Sequence, residues 1–116
     1  VERRAHARFS KSFDIEGSSA EDAAVARMVA SDLSLGGLYC TSTVDYPEMT
    51  RLAVRLMLPD SDSPAPGGDA FDIEAVVVRR KKLRSSTGNS KYELGLFFQR
   101  MTDEQRERIA RFLAEA

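Results

Sequence analysis

The sequence predicts a mainly β domain, an antiparallel barrel or sandwich closed by one C-terminal α-helix. Apolar residues recur at spacing two in five or six short runs, turn-forming clusters separate those runs, and only residues 102–116 carry a helical apolar spacing. With 116 residues the chain is long enough for one core and short for two, so a single domain over 1–116 is expected.

The first run places Phe9, Lys11, Phe13 and Ile15 on one parity and Ser10, Ser12 and Asp14 on the other, as a half-buried strand requires. Residues 18–31 are writable in two ways. Ser19, Glu21, Asp22 and the alanines up to Ala30 have good helix propensity and an N-cap, whereas Val25, Arg27 and Val29 alternate with Ala26, Met28 and Ala30 as in a strand. Residues 38–43 bear Tyr, Cys and Thr side chains suited to a pleated surface, and Leu52, Val54, Leu56 and Leu58 alternate until Pro59. Three prolines and two glycines make 59–69 a long surface loop. In 71–82 Ile73, Ala75 and Val77 share an inward face, 85–90 is a turn around Gly88-Asn89, and Tyr92, Leu94, Leu96 and Phe98 alternate again, so these two strands form a hairpin. Thr102 with Gln105 makes a capping box, Asp103 and Glu104 suit the helix N-terminus, and Ile109, Phe112, Leu113 and Ala116 line one helical face directed at the barrel or, as the lesser alternative, at a dimer partner.

Apolar residues at 42% and charged residues at 30% describe an ordinary globular chain and exclude a disordered or membrane-spanning one. The longest uncharged apolar runs, such as 75–78, fall far short of the roughly 20 residues a membrane helix needs. No signal peptide precedes the first residues of note, so a cytoplasmic location is expected, and the opening Val in place of Met is read as a trimmed start or a domain cut from a longer chain. One Cys and one His make neither a disulfide nor a metal site, and Cys40 is expected as a small core-facing strand residue. No metal-ligand cluster or activated nucleophile argues for an enzyme, and His6 has no catalytic partner. The net charge of −1 disfavours DNA or RNA, but cations gather at Arg3, Arg4, Arg8 and Lys11 and again at Arg79, Arg80, Lys81, Lys82 and Arg84, leaving local anion binding open.

Two motifs carry the functional reading: Arg3-Arg4-Ala5-His6-Ala7-Arg8 and Asp32-Leu33-Ser34-Leu35-Gly36-Gly37. With RxxxR over 4–8 and (D/N)xSxxG over 32–37, the chain resembles the PilZ domain family of bacterial cyclic di-GMP receptors, and the later strands and closing helix extend that resemblance over nearly its whole length. The resemblance implies a six-stranded antiparallel β-barrel over 9–100 with a strand at 25–31, a flexible Arg-rich segment over 1–8 and a C-terminal helix over 102–116. It also implies cyclic di-GMP as ligand, with no cofactor or metal, held between the two motifs.

These residue types suit that ligand. An Arg fork pairs bidentately with phosphate or with guanine O6 and N7 and stacks on a base, so Arg4 and Arg8 are assigned to guanine edges and phosphates. Arg3 would add stacking, or accompany a second, intercalated ligand molecule. Asp32 can accept guanine N1–H and N2–H together, and Ser34 would bond phosphate or fix the turn. Gly36 and Gly37 would permit positive φ and keep side chains out of the ligand's way, Gly37 being the motif's own glycine. Which of Val78, Arg79 and Arg80 faces the site stays open at this point; the basic run there is otherwise a charged hairpin end. The expected role is a receptor, monomeric or weakly dimeric and without membrane insertion, that orders its N-terminal segment on binding and signals to a protein partner or fused domain. The competing role is a protein-interaction scaffold of the pilus or motility machinery that binds no nucleotide, which the motif arginines disfavour.

Overall fold

The computed structural model describes residues 12–19, 24–58, 70–83 and 90–115. These form β1 (Phe13–Ser19), β2 (Ala26–Ser31), β3 (Gly37–Ser42), β4 (Arg51–Met57), β5 (Ala70–Leu83), β6 (Lys91–Arg100) and α1 (Asp103–Glu115). The strands close a barrel in the order β1-β2-β3-β6-β5-β4, every pair antiparallel. Closure leaves no free sheet edge among them. The segment 1–8, the strand start expected at 9, the 59–69 loop and most of the 85–90 turn lie outside the described residues.

Alternation selects the core. Phe13, Ile15, Leu52, Val54, Leu56, Ile73, Ala75, Val77, Leu94, Leu96 and Phe98 all point inward and are buried. Within 18–31, Ser18 and Ser19 extend β1 and 26–31 is a strand, so the helical alternative does not form at those residues; residues 20–23 lie outside the described ones. The inward residues of β2 are Met28 and Ala30, while Val25 and Val29 stay on the outer surface. Pairing explains the outcome. β2 lies between β1 and β3, and the ladder on both sides satisfies backbone groups that local helix propensity could satisfy only within the segment. Cys40 faces the core as expected; burial pushes its thiol up to about 12, which keeps it protonated and inert.

Register assigns each strand end to a rim. Phe13 lies opposite Ala30, Gly37 opposite Phe97, Leu56 opposite Phe71 and Glu74 opposite Arg100. One rim therefore gathers the head of β1, the end of β2, the head of β3 and the end of β6. α1 leaves β6 at this rim and is anchored at once. The Thr102 N–H donates to Gln105 Oε1 and the Gln105 N–H to Thr102 Oγ1, each at 3.1 Å, which forms the capping box. Gln105 Nε2 also donates to the Asp72 carbonyl at 2.7 Å, and the Arg108 guanidinium lies 4.8 Å from the Phe71 ring centre. Ile109 is wholly buried in the barrel core, with Phe112 and Leu113 packed half-buried beside it, so the apolar helix face covers the barrel's own opening.

One turn holds strain. Met49 adopts φ 76° with its side chain exposed, while its N–H donates to the Val77 carbonyl at 2.7 Å. A left-handed backbone costs a side-chain-bearing residue roughly 1–2 kcal/mol that glycine does not incur. Met49→Gly is accordingly expected to stabilise the barrel by about 0.5–1 kcal/mol, seen as a higher urea midpoint at unchanged slope.

Candidate functional site

The chain leaving β2 must turn sharply to start β3, and the motif 32–37 makes that turn. Asp32 takes a left-handed φ of 51°, which an Asp side chain tolerates. Leu33 is wholly buried, and this inward anchor leaves Asp32 and Ser34 on either side of it at the outer surface. The Ser34 N–H donates to the Gly37 carbonyl at 2.8 Å and the Ser34 hydroxyl to the same oxygen at 3.2 Å, so this hydroxyl fixes the turn.

The positive φ expected of the glycines lies elsewhere. Neither Gly36 nor Gly37 has a left-handed φ; that conformation falls to Asp32. Gly37 is required by proximity, because a Cβ there would lie 2.1 Å from the Leu96 carbonyl oxygen across the β3–β6 ladder. Around Gly36 nothing lies within 4 Å of where a Cβ would stand, and its carbonyl accepts from the Phe98 N–H at 2.9 Å. It contributes a bare stretch of backbone beside the motif.

Asp32, Ser34, Gly37 and Tyr39 form one side of an outer-surface pocket of about 170 Å³, and Val78, Arg79, Gly95 and Phe97 form the other. A β-bulge builds the second side. Val77 pairs with Leu96 and Arg79 with Gly95, leaving Val78 without a partner, so two successive residues, Val78 and Arg79, turn to the same outer face. That arrangement answers which basic residue faces the turn. Arg80 is engaged elsewhere: its Nη2 donates to Asp45 Oδ2 at 2.7 Å, a second bond joins its Nε to Oδ1, and its guanidinium lies 5.2 Å from the Tyr92 ring centre. The bond from Arg80 holds the exposed Asp45 carboxyl below the usual carboxylate range. Among the described residues neither Asp32 nor Arg79 has an ion-pair partner.

Tyr39 and Phe97 were not expected in the site, and Val78 joins it beside Arg79. Val78 and Phe97 are about half exposed, at 48% and 53%, which gives the pocket an apolar flank able to take a flat ring. Their sequence signal is Gly95, since a glycine inside an alternating strand marks a place where something must approach the backbone.

Arg3, Arg4 and Arg8 lie outside the described residues. What the fold does place is the point where their segment joins the barrel. Phe13 pairs with Ala30, two residues before Asp32, so the polypeptide preceding β1 enters at the rim that carries the motif turn. Two larger clefts, of about 270 and 440 Å³, lie on the β1–β4–β5 wall, where Arg55 and Asp72 already pair at 3.0 Å. No group of His, Cys, Asp and Glu among the described residues could hold a metal ion, and no described helix is long and apolar enough to cross a membrane.

A family model described as the PilZ domain matches residues 2–115. The chain is similar in structure to the PilZ domain of YcgR from Escherichia coli with c-di-GMP, at TM-score 0.66 and 18% identity, covering 98% of this chain and 91% of that one. It is also similar to the Bacillus subtilis inhibitor of motility MotI/DgrA, at TM-score 0.73 and 16% identity, where it covers 99% of itself and spans about half, 51%, of the other chain. A third likeness is to the PilZ domain of CeSA from a cellulose-synthesizing bacterium, at TM-score 0.60 and 16% identity over 93% of this chain and 95% of that one. No curated protein sequence matches the chain. At these identities the structural likeness carries the fold.

Proposed function

Since the chain belongs to the PilZ domain family, we propose that it is a cyclic di-GMP receptor domain whose ligand sits between the segment 3–8 and the turn 32–37. The observation that carries this reading is the convergence, at one rim, of the junction to that segment with a pocket holding Asp32, Ser34, Gly37 and an uncommitted Arg79. The E. coli relative with c-di-GMP supports the same ligand class.

In this reading Arg4 and Arg8 supply forks to the phosphodiesters and to the guanine O6 and N7 edge, with Arg3 beside them. Asp32 accepts the guanine N1–H and N2–H pair. Ser34 holds the turn through its bond to Gly37 and has oxygen lone pairs left for a ligand donor or water. Gly36 leaves the approach open. Ordering the 3–8 segment costs roughly 1–2 kcal/mol per residue in backbone entropy, so closure requires the charge-assisted bonds that only the bound ligand provides. Closure converts ligand concentration into a changed surface at the rim, available to a protein partner or fused domain. The chemistry is binding, without a bond made or broken.

A titration of the isotopically labelled protein with cyclic di-GMP, followed by amide resonances, tests the assignment. Saturable shifts are expected with cyclic di-GMP and not with GMP or cyclic GMP at equal concentration. No shifts with any of the three would reject it.

A further inference from the structure

Arg79 is the strongest feature of the pocket that neither motif accounts for. Resting on the reading of this pocket as the cyclic di-GMP site, we infer that Arg79 is its capture residue, a barrel-borne cation that draws the ligand's phosphodiester anions in before the segment 3–8 engages them.

Charge comes first. A ligand with two phosphodiester charges approaches a pocket whose motif turn offers a carboxylate, Asp32, and within the pocket Arg79 is the cation opposite it. Without that guanidinium the described part of the site would repel the molecule it has to admit. Availability comes second. Arg80 is bound to Asp45, Arg55 pairs with Asp72 at 3.0 Å and Arg100 with Glu74 at 3.7 Å, whereas Arg79 has no carboxylate partner among the described residues. A free guanidinium loses no existing ion pair when it takes a phosphate.

Placement comes third, and it is set by backbone. The bulge at Val78 puts Arg79 on the outer face directly opposite Gly95. A Cβ at position 95 would stand 3.1 Å from Arg79 Cβ and 3.2 Å from Tyr39 Cε1, so the bare residue lets the root of Arg79 and the Tyr39 ring stand side by side across β6 without either being pushed aside. The exposed Val78 and Phe97 border the same space and present it with apolar surface, which strengthens attraction to an incoming anion. Capture needs charge at that point; unlike base recognition, it does not need the fork.

Rapid mixing of the full chain with cyclic di-GMP carrying a fluorophore on one ribose 2′ oxygen, read by anisotropy at about 20 and 200 mM salt, tests this. Arg79→Gln should slow association roughly tenfold at the lower salt, flatten its salt dependence and alter dissociation far less. Arg79→Lys should restore most of the rate. Lys82→Gln, the same change of charge near the outer end of the β5–β6 pair, should leave association within about twofold of wild type. Wild-type rate and salt dependence in Arg79→Gln, or equal slowing in Lys82→Gln, would overturn the inference while leaving the receptor reading standing. Absence of binding by the wild-type chain would reject that reading, and the capture role with it.

Discussion

Arg4→Ala and Arg8→Ala are each expected to remove most cyclic di-GMP binding in titration calorimetry while leaving the melting temperature unchanged. Both residues precede β1, and the barrel core from Phe13 to Ile109 is built without them. A charge-assisted hydrogen bond contributes roughly 1.5–3 kcal/mol, so losing one fork lowers affinity about ten- to a hundredfold, and losing both removes detectable binding. Lysine should rescue poorly at either position, because a point charge supplies neither the bidentate phosphate bond nor the paired contact to guanine O6 and N7. That contrasts with the rescue expected for lysine at position 79, where charge alone is at stake. Wild-type affinity in either alanine variant would defeat the assignment of the motif arginines.

Gly37→Ala is expected to destabilise the fold strongly, and Gly36→Ala hardly at all. At 37 the added methyl would meet the Leu96 carbonyl oxygen at 2.1 Å, and both atoms belong to paired backbone, so β3 and β6 must separate to admit it. Overpacking of this kind costs about 3 kcal/mol, equivalent to a fall in melting temperature of about 10 °C in a domain of this size. Separation also displaces the Gly37 carbonyl that accepts both Ser34 bonds, so the turn loosens and ligand binding falls with stability. At 36 a methyl meets nothing within 4 Å and the backbone angle is ordinary, so thermal denaturation should shift by less than about 0.5 kcal/mol. Equal melting temperatures for the two variants would show that the glycine pair is kept for some reason other than this close approach.

Much of the barrel was legible because a two-residue period is written directly into β4, β5 and β6. Leu52, Val54, Leu56, Ile73, Ala75, Val77, Leu94, Leu96 and Phe98 are buried as their alternation requires. The capping box at Thr102 and Gln105 was legible for the same reason, since every partner in it is local. Residues 26–31 were undecided from propensity because what makes them a strand is non-local: β1 on one side and β3 on the other. The motif turn followed a similar division. Asp32, Ser34, Gly36 and Gly37 were identifiable as residues of note, but the reason for Gly37 lies on another strand, far along the chain at Leu96, and the positive φ belongs to Asp32. Nothing local announces the bulge at Val78. It is a mismatch between two strands, and it alone decides that Arg79 joins the pocket while Arg80 turns to Asp45.

The central claim is that residues 3–8 and 32–37 meet on one ligand. In the amide titration with cyclic di-GMP, both segments and Arg79 should shift together along a single saturation curve, with residues 3–8 gaining protection from solvent exchange as they do. Shifts confined to the turn, with residues 3–8 unaltered at saturation, would contradict the account.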